Sequence, residues 1–232
     1  MRRLERVKTG IVGLDDLLNG GLVQGSSALL IGPVDTLKSY MGQQFIYEGL
    51  KHREPCMYTS ASQDLDTLCD QVKLNFGWDL KPYKQKGLLN FIDLRELWRA
   101  EFPGAIRKFL DPGRVMEEIQ KGESRISGGR LLIYSISLMF NFVEDERDVL
   151  KMIYSLNDKS RKMRITTLYI AEQGAQPKLI EENLKSICDY VLTTEIRGND
   201  RRIRISKALT KHGIEWHKLS LTDKGVMVEL IL

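Results

Sequence analysis

The sequence predicts an α/β fold: a mostly parallel central sheet with helices on both faces and an antiparallel strand extension at the C-terminal end. Three observations predict it. Short continuous apolar runs recur along most of the chain, helical stretches lie between them, and after about residue 190 the helical stretches cease while strand-like segments continue.

The apolar runs at 28–31, 56–59, 88–92, 130–134 and 166–170 are unbroken rather than alternating, as expected of strands covered on both faces. Helical segments near 38–53, 64–76, 113–122, 145–161 and 178–187 have the length of right-handed crossovers between parallel strands. Strands are then expected at 190–196, 202–207, 214–221 and 226–231. The turn signals Gly198-Asn199-Asp200, His212-Gly213 and Asp223-Lys224-Gly225 separate them and make this last part antiparallel.

The 232 residues fit one domain spanning 1–232, with no internal repeat, low-complexity tract or Pro/Ser-rich linker. Thirty-five Lys and Arg against 31 Asp and Glu leave a formal charge of +4, too small to argue for nucleic acid or an acidic membrane surface. Cys56, Cys69 and Cys188 stand far apart with no C-x-x-C pair, which suggests neither zinc nor disulfides and fits a reducing, cytoplasmic setting. No stretch reaches the roughly 18 apolar residues of a membrane span. His52, His212 and His217 lack partners at ligand spacing and are expected to be structural or solvent-facing.

The most informative stretch follows the first strand. Gly32-Pro33-Val34-Asp35-Thr36-Leu37-Lys38-Ser39 has the length and end residues of the phosphate-binding loop pattern G-x-x-x-x-G-K-S/T, but its second glycine is replaced by Leu37. In an intact loop, backbone N–H groups and a helix N-terminus cradle phosphates, the lysine reaches their outer oxygens and the hydroxyl binds magnesium. Lys38 and Ser39 keep those last two groups. A bulky residue in a glycine-like conformation costs about 1–3 kcal/mol, so the loop is expected to take another shape. Asp35 adds a carboxylate that repels phosphate unless it turns outward or is neutralised.

Around this loop the sequence resembles one family closely. Residues 7–26, Val7-Lys8-Thr9-Gly10-Ile11-Val12-Gly13-Leu14-Asp15 onward to Gly20-Gly21-Leu22 and Gly25, follow the opening of KaiC-type proteins, T-G-(I/V)-x-G-(L/F)-D-x-(L/I)-x-x-G-G-(I/L)-x-x-G. Gln44 to Gly49, Phe76 to Leu80 and Leu221 to Val226 are similar to later signposts of that family in the same order. The resemblance spans nearly the whole chain and implies a RecA-like P-loop fold that binds ATP or ADP.

It also implies a degenerate site. The family's paired glutamates, which polarise the attacking water, fall on Ser62 and Gln63, neither of them a useful base at neutral pH. The aspartate that holds the magnesium shell falls on Tyr134, leaving Ser39 as a weak metal contact. A K-x-R pair supplied across subunits falls on Lys207-Ala208-Leu209, so the lysine is kept and the arginine lost. Glu172 stands where the family has glutamate or glutamine at a strand end. The resemblance therefore implies a nucleotide-binding site at Gly32, Asp35, Thr36, Leu37, Lys38, Ser39, Glu172 and Lys207, with magnesium bound weakly if at all.

The function expected is a regulatory or assembly module with impaired hydrolysis, contacting a protein partner or forming the family's homo-oligomer. A slow ATPase rescued by Asp35 or Asp64 is the alternative. A second alternative is nucleic-acid binding through Arg202, Arg204 and Lys207, which share a basic hairpin; a solvated sheet face explains the same pattern. The aromatic segment 94–110 is a further candidate contact surface.

Overall fold

A computed structural model of the chain describes residues 5–96, 112–123, 125–141 and 143–230. The segment 94–110 lies almost wholly outside that set.

A two-stranded ribbon of β1 (Arg6–Val7) and β2 (Leu22–Val23) encloses the short helix α1 (Leu14–Leu17). The main chain then alternates β3 (Ser27–Gly32), α2 (Lys38–Lys51), β4 (Cys56–Ser60), α3 (Leu65–Phe76), α4 (Lys81–Gln85) and β5 (Leu89–Asp93). It continues with α5 (Pro112–Glu123), β6 (Arg130–Tyr134), α6 (Ile136–Phe140), α7 (Glu146–Met163), β7 (Thr166–Glu172) and α8 (Lys178–Ile187). Four strands close it: β8 (Tyr190–Arg197), β9 (Asp200–Lys207), β10 (His217–Thr222) and β11 (Gly225–Glu229).

The nine-stranded sheet has the order β11-β10-β9-β8-β3-β7-β6-β4-β5. From β8 to β5 every neighbour is parallel, and from β8 to β11 every neighbour is antiparallel. The predicted architecture is therefore the observed one. The strand expected at 214–221 starts later, at His217: Ile214 is 71% exposed and belongs to the loop before it. Strand alternation sorts the core into two layers. Leu30, Tyr58, Leu132 and Ile170 face α2 and α3, while Ile31, Met57, Ile133 and Ala171 face the opposite layer with Ile119, Ile153 and Leu184.

The family-like opening has structural work. The Asp15 carboxylate accepts the Thr9 N–H at 2.7 Å, the Thr9 hydroxyl at 2.8 Å and the Gly10 N–H at 3.2 Å, which fixes the first loop. A Cβ on Gly13 would lie 2.2 Å from the Val228 carbonyl oxygen, so only glycine permits the first loop to reach the last strand. Gln44, in the middle of α2, donates to the carbonyls of Gly10 (2.6 Å) and Val226 (3.2 Å) and accepts the Val226 N–H (2.8 Å). The fully buried Arg130 grips Glu54 at 2.7 and 3.1 Å and donates to the Lys8 and Phe45 carbonyls, both at 2.8 Å. No helix among the described residues is long and apolar enough to cross a membrane.

Candidate functional site

The strands β3, β4, β6 and β7 end on one edge of the sheet. The chain leaves β3 through α2 and returns at β4, passing over β7 and β6. That reversal of strand order is where doubly wound sheets hold ligands, and a cleft of about 530 Å³ opens there. Its walls are the loop from Val34 to Ser39, Tyr40 and Gln43 of α2, the Ser62–Gln63 turn, Gln71 and Asn75 of α3, and the strand-end residues Tyr134 and Glu172.

Register places those two strand ends. Gly32 pairs with Glu172 across β3 and β7, and Ser60 pairs with Tyr134 across β4 and β6. Glu172 and Tyr134 share the parity of Ile170 and Leu132, so both side chains fall on the α2 face. The Ser60 hydroxyl accepts the N–H groups of Ser62 (3.2 Å) and Gln63 (3.0 Å), which folds that turn back against Tyr134.

The loop does not take the other shape expected of it. Asp35 and Leu37 both hold left-handed conformations, with φ of 64° and 66°, and α2 starts immediately after Leu37. The reason is burial. Leu37 is only 5% exposed and belongs to the core beneath α2, so roughly 1.5–3 kcal/mol of burial offsets a strain of about 1–3 kcal/mol. Asp35 is both turned outward and neutralised: its side chain is 70% exposed, and Arg201 of β9 donates to its carboxylate and to its carbonyl, each at 2.6 Å. Thr36 is buried, with its hydroxyl on the Pro33 carbonyl (2.8 Å) and the Thr194 hydroxyl (2.7 Å). Gly32 lies beneath the loop, where a Cβ would come within 2.0 Å of the Thr194 hydroxyl oxygen.

Lys38 is 3% exposed. Its ammonium sits 2.8 Å from the Glu172 carboxylate, 2.5 Å from the Pro33 carbonyl and 3.3 Å from the Thr36 hydroxyl. Burial pushes its pKa below the ordinary lysine value, and the hydrogen bond and charge of Glu172 pull the other way. Burial likewise raises the Tyr134 phenol, aided by the nearby Glu172 charge and opposed by side-chain hydrogen bonds with Ser39 and Ser62.

Other predicted residues lie away from this cleft. Lys207 is not brought to it within the chain: its ammonium donates to the carbonyls of Lys185 (3.3 Å), Ser186 (2.8 Å) and Cys188 (2.6 Å), closing the C-terminal end of α8, where a cation is favoured. Arg204 stacks over Trp216 at 4.7 Å, and Arg201 is committed to Asp35, so the basic hairpin spends much of its charge inside the chain. Asp64 is the N-cap of α3, accepting the Thr67 N–H at 2.8 Å, with Arg95 3.4 Å away.

Sequence reasoning missed four cleft residues: Tyr40, Gln43, Gln71 and Asn75. Gln43 follows Ser39 by one helical turn, and Gln71 and Asn75 are i and i+4 on α3, so helical spacing could have found them once the helices were placed. Gln43 is 6% exposed, and its side-chain oxygen has no hydrogen-bond partner.

The residues present do not fit the magnesium that the resemblance implies. Its hard ligands would have to come from Ser39, Tyr134 and Ser62, all neutral hydroxyls. The two carboxylates that line the cleft among the described residues are already paired, Glu172 with Lys38 and Asp35 with Arg201. Among the described residues no group of three or more His, Cys, Asp or Glu could hold a metal ion.

A sequence model of the KaiC ATPase matches residues 7–230. A UPF0273 protein of Pyrococcus horikoshii is 27% identical over 239 residues, covering 96% of this chain and 93% of its own. A UPF0273 protein of Thermotoga maritima is 26% identical over 239 residues, covering 97% and 96%. The circadian clock protein KaiC3 of a Synechocystis strain is 24% identical over 238 residues, covering 97% of this chain but 46% of that longer protein. Among solved structures, the crystal structure of a KaiC-like protein from Pyrococcus horikoshii superposes with a TM-score of 0.82 at 25% identity, covering 98% of this chain and all of that one.

Proposed function

The chain belongs to the KaiC ATPase family, and from that premise we propose that it binds an adenine nucleotide in the cleft at the end of β3 but hydrolyses it slowly or not at all. It then acts as a regulatory or assembly module whose contacts with a protein partner or further copies of itself depend on nucleotide occupancy. Lys38 and the N-terminus of α2 receive the phosphates, with Thr36 holding the loop beneath them.

One observation carries this reading. Where an attacking water would stand, between the loop and the β4 edge, the wall consists of Ser62, Gln63 and Tyr134, and among the described residues no carboxylate lines the cleft without a partner. These groups orient a water by hydrogen bonding but do not take its proton at neutral pH.

A slow ATPase is the second reading, favoured by Glu172, whose carboxylate lines the same cleft. Calorimetric titration with ATP, alongside a phosphate-release assay, separates the two. Binding that Lys38→Ala abolishes, without phosphate release above the Lys38→Ala background, supports the first. Release that Lys38→Ala and Glu172→Gln both abolish supports the second, and an absence of binding overturns both.

A further inference from the structure

We propose that this cleft takes its nucleotide as the metal-free anion, the Tyr134 phenol and the hydroxyls of Ser39 and Ser62 occupying the place of a divalent cation between phosphate and protein. The inference rests on the nucleotide-binding reading above and concerns the ionic form of the ligand.

The geometry supports it in three steps. First, Ser39, the loop hydroxyl that would ligate a cation, lines the same cleft as the Tyr134 phenol and the Ser62 hydroxyl. Each of these hydroxyls can donate its proton to a phosphate oxygen, a charged acceptor. Second, the charged groups around the cleft pair off: Lys38 with Glu172, and Arg201 with an outward Asp35. Among the described residues the remaining polar lining, Gln43, Gln63, Gln71, Asn75 and the hydroxyls, carries no charge, so no surplus of carboxylates there calls for a cation to screen it from phosphate. Third, Tyr134 and Glu172 end the adjacent strands β6 and β7 and Lys38 is paired with Glu172, so the phenol and the ammonium line the same cleft.

The test is calorimetric titration of the full chain with ATP, in EDTA and in excess magnesium, on wild type, Tyr134→Phe and Tyr134→Asp, with a thermal melt of each to show that it is folded. The expected result is a wild-type Kd in EDTA no more than about threefold weaker than in magnesium. Tyr134→Phe should weaken binding in EDTA by about tenfold, the loss of one hydrogen bond to a charged group. Tyr134→Asp should bind poorly in EDTA and recover with magnesium. A wild-type Kd that weakens more than about tenfold on removing magnesium overturns the proposal and leaves nucleotide binding intact. Unchanged binding by a folded Tyr134→Phe overturns the role given to the phenol. No binding in either buffer overturns both this proposal and the nucleotide reading beneath it.

Discussion

Leu37 offers a direct test of how the altered loop is held. Its left-handed backbone is unfavourable and its buried side chain is favourable, and two substitutions separate these effects. Leu37→Ala keeps most of the backbone strain and removes the buried side chain, which should cost about 3 kcal/mol. In a chain of this length that lowers Tm by roughly 6–12 °C. Leu37→Gly makes the same cavity but relieves about 1–2 kcal/mol of left-handed strain, against roughly 0.5–1 kcal/mol for the freer unfolded chain. The glycine variant should therefore equal or slightly exceed the alanine variant in stability, whereas in an ordinary helix glycine falls below alanine. Urea denaturation of the three proteins at constant m-value reads the order. A glycine variant more than about 1 kcal/mol below alanine would show that the left-handed conformation carries no strain. One as stable as wild type would show that burial of Leu37 does not hold the loop. Leu37→Gly should also bind ATP more tightly, because a glycine lets phosphate approach the backbone more closely.

Glu172→Gln should move stability and binding in opposite directions. Lys38 loses its carboxylate partner, costing about 1–2 kcal/mol after discounting for a Glu172 side chain that is 29% exposed, while ATP affinity rises because phosphate no longer competes with Glu172. A fall in both is the contrary result. Lys207→Met should cost about 1–2 kcal/mol by uncapping α8 and leave ATP affinity unchanged; weaker binding at a protein concentration that favours assembly would restore the expected role across subunits. Asp64 should contribute to acid stability. Hydrogen bonds from Thr67 hold its folded pKa at about 2, below the ordinary 3.8, so between these values the unfolded chain binds more protons. Its contribution is complete above pH 4 and lost as pH falls towards 2, and Asp64→Ala should flatten that part of the stability curve; an unchanged acid limb would refute the assignment.

The architecture was legible because parallel strands buried on both faces leave unbroken apolar runs, and the change from crossovers to turns near residue 190 marks where the sheet becomes antiparallel. The short helix Ile136–Phe140 was not legible, because its wholly apolar residues directly after β6 show no alternation between faces. The strand was expected to begin at Ile214, directly after the His212-Gly213 turn signal, but Ile214 is exposed and the strand starts at His217. Within the site, the spacing of Gly32, Lys38 and Ser39 located the loop. It could not reveal that a leucine would supply from the core the energy to hold a glycine's conformation. Nor could carrying a pattern over onto Lys207 reveal three carbonyls waiting at the end of α8. The amides of Gln71 and Asn75 reach the cleft only through the way α3 docks, information held in tertiary packing rather than in a local motif.

Gln44 gives α2 the properties of a lever. The helix starts at the phosphate loop, and Gln44 lies six residues along it, about 9 Å from Lys38, holding the first loop through Gly10 and the last strand through Val226. Those two segments also meet directly, the Val228 N–H lying 2.8 Å from the Val12 carbonyl. Any tilt or axial shift of α2 would therefore be transmitted to the junction between the first loop and the last strand. A dye attached at the exposed Val12 would report the state of a loop it never touches.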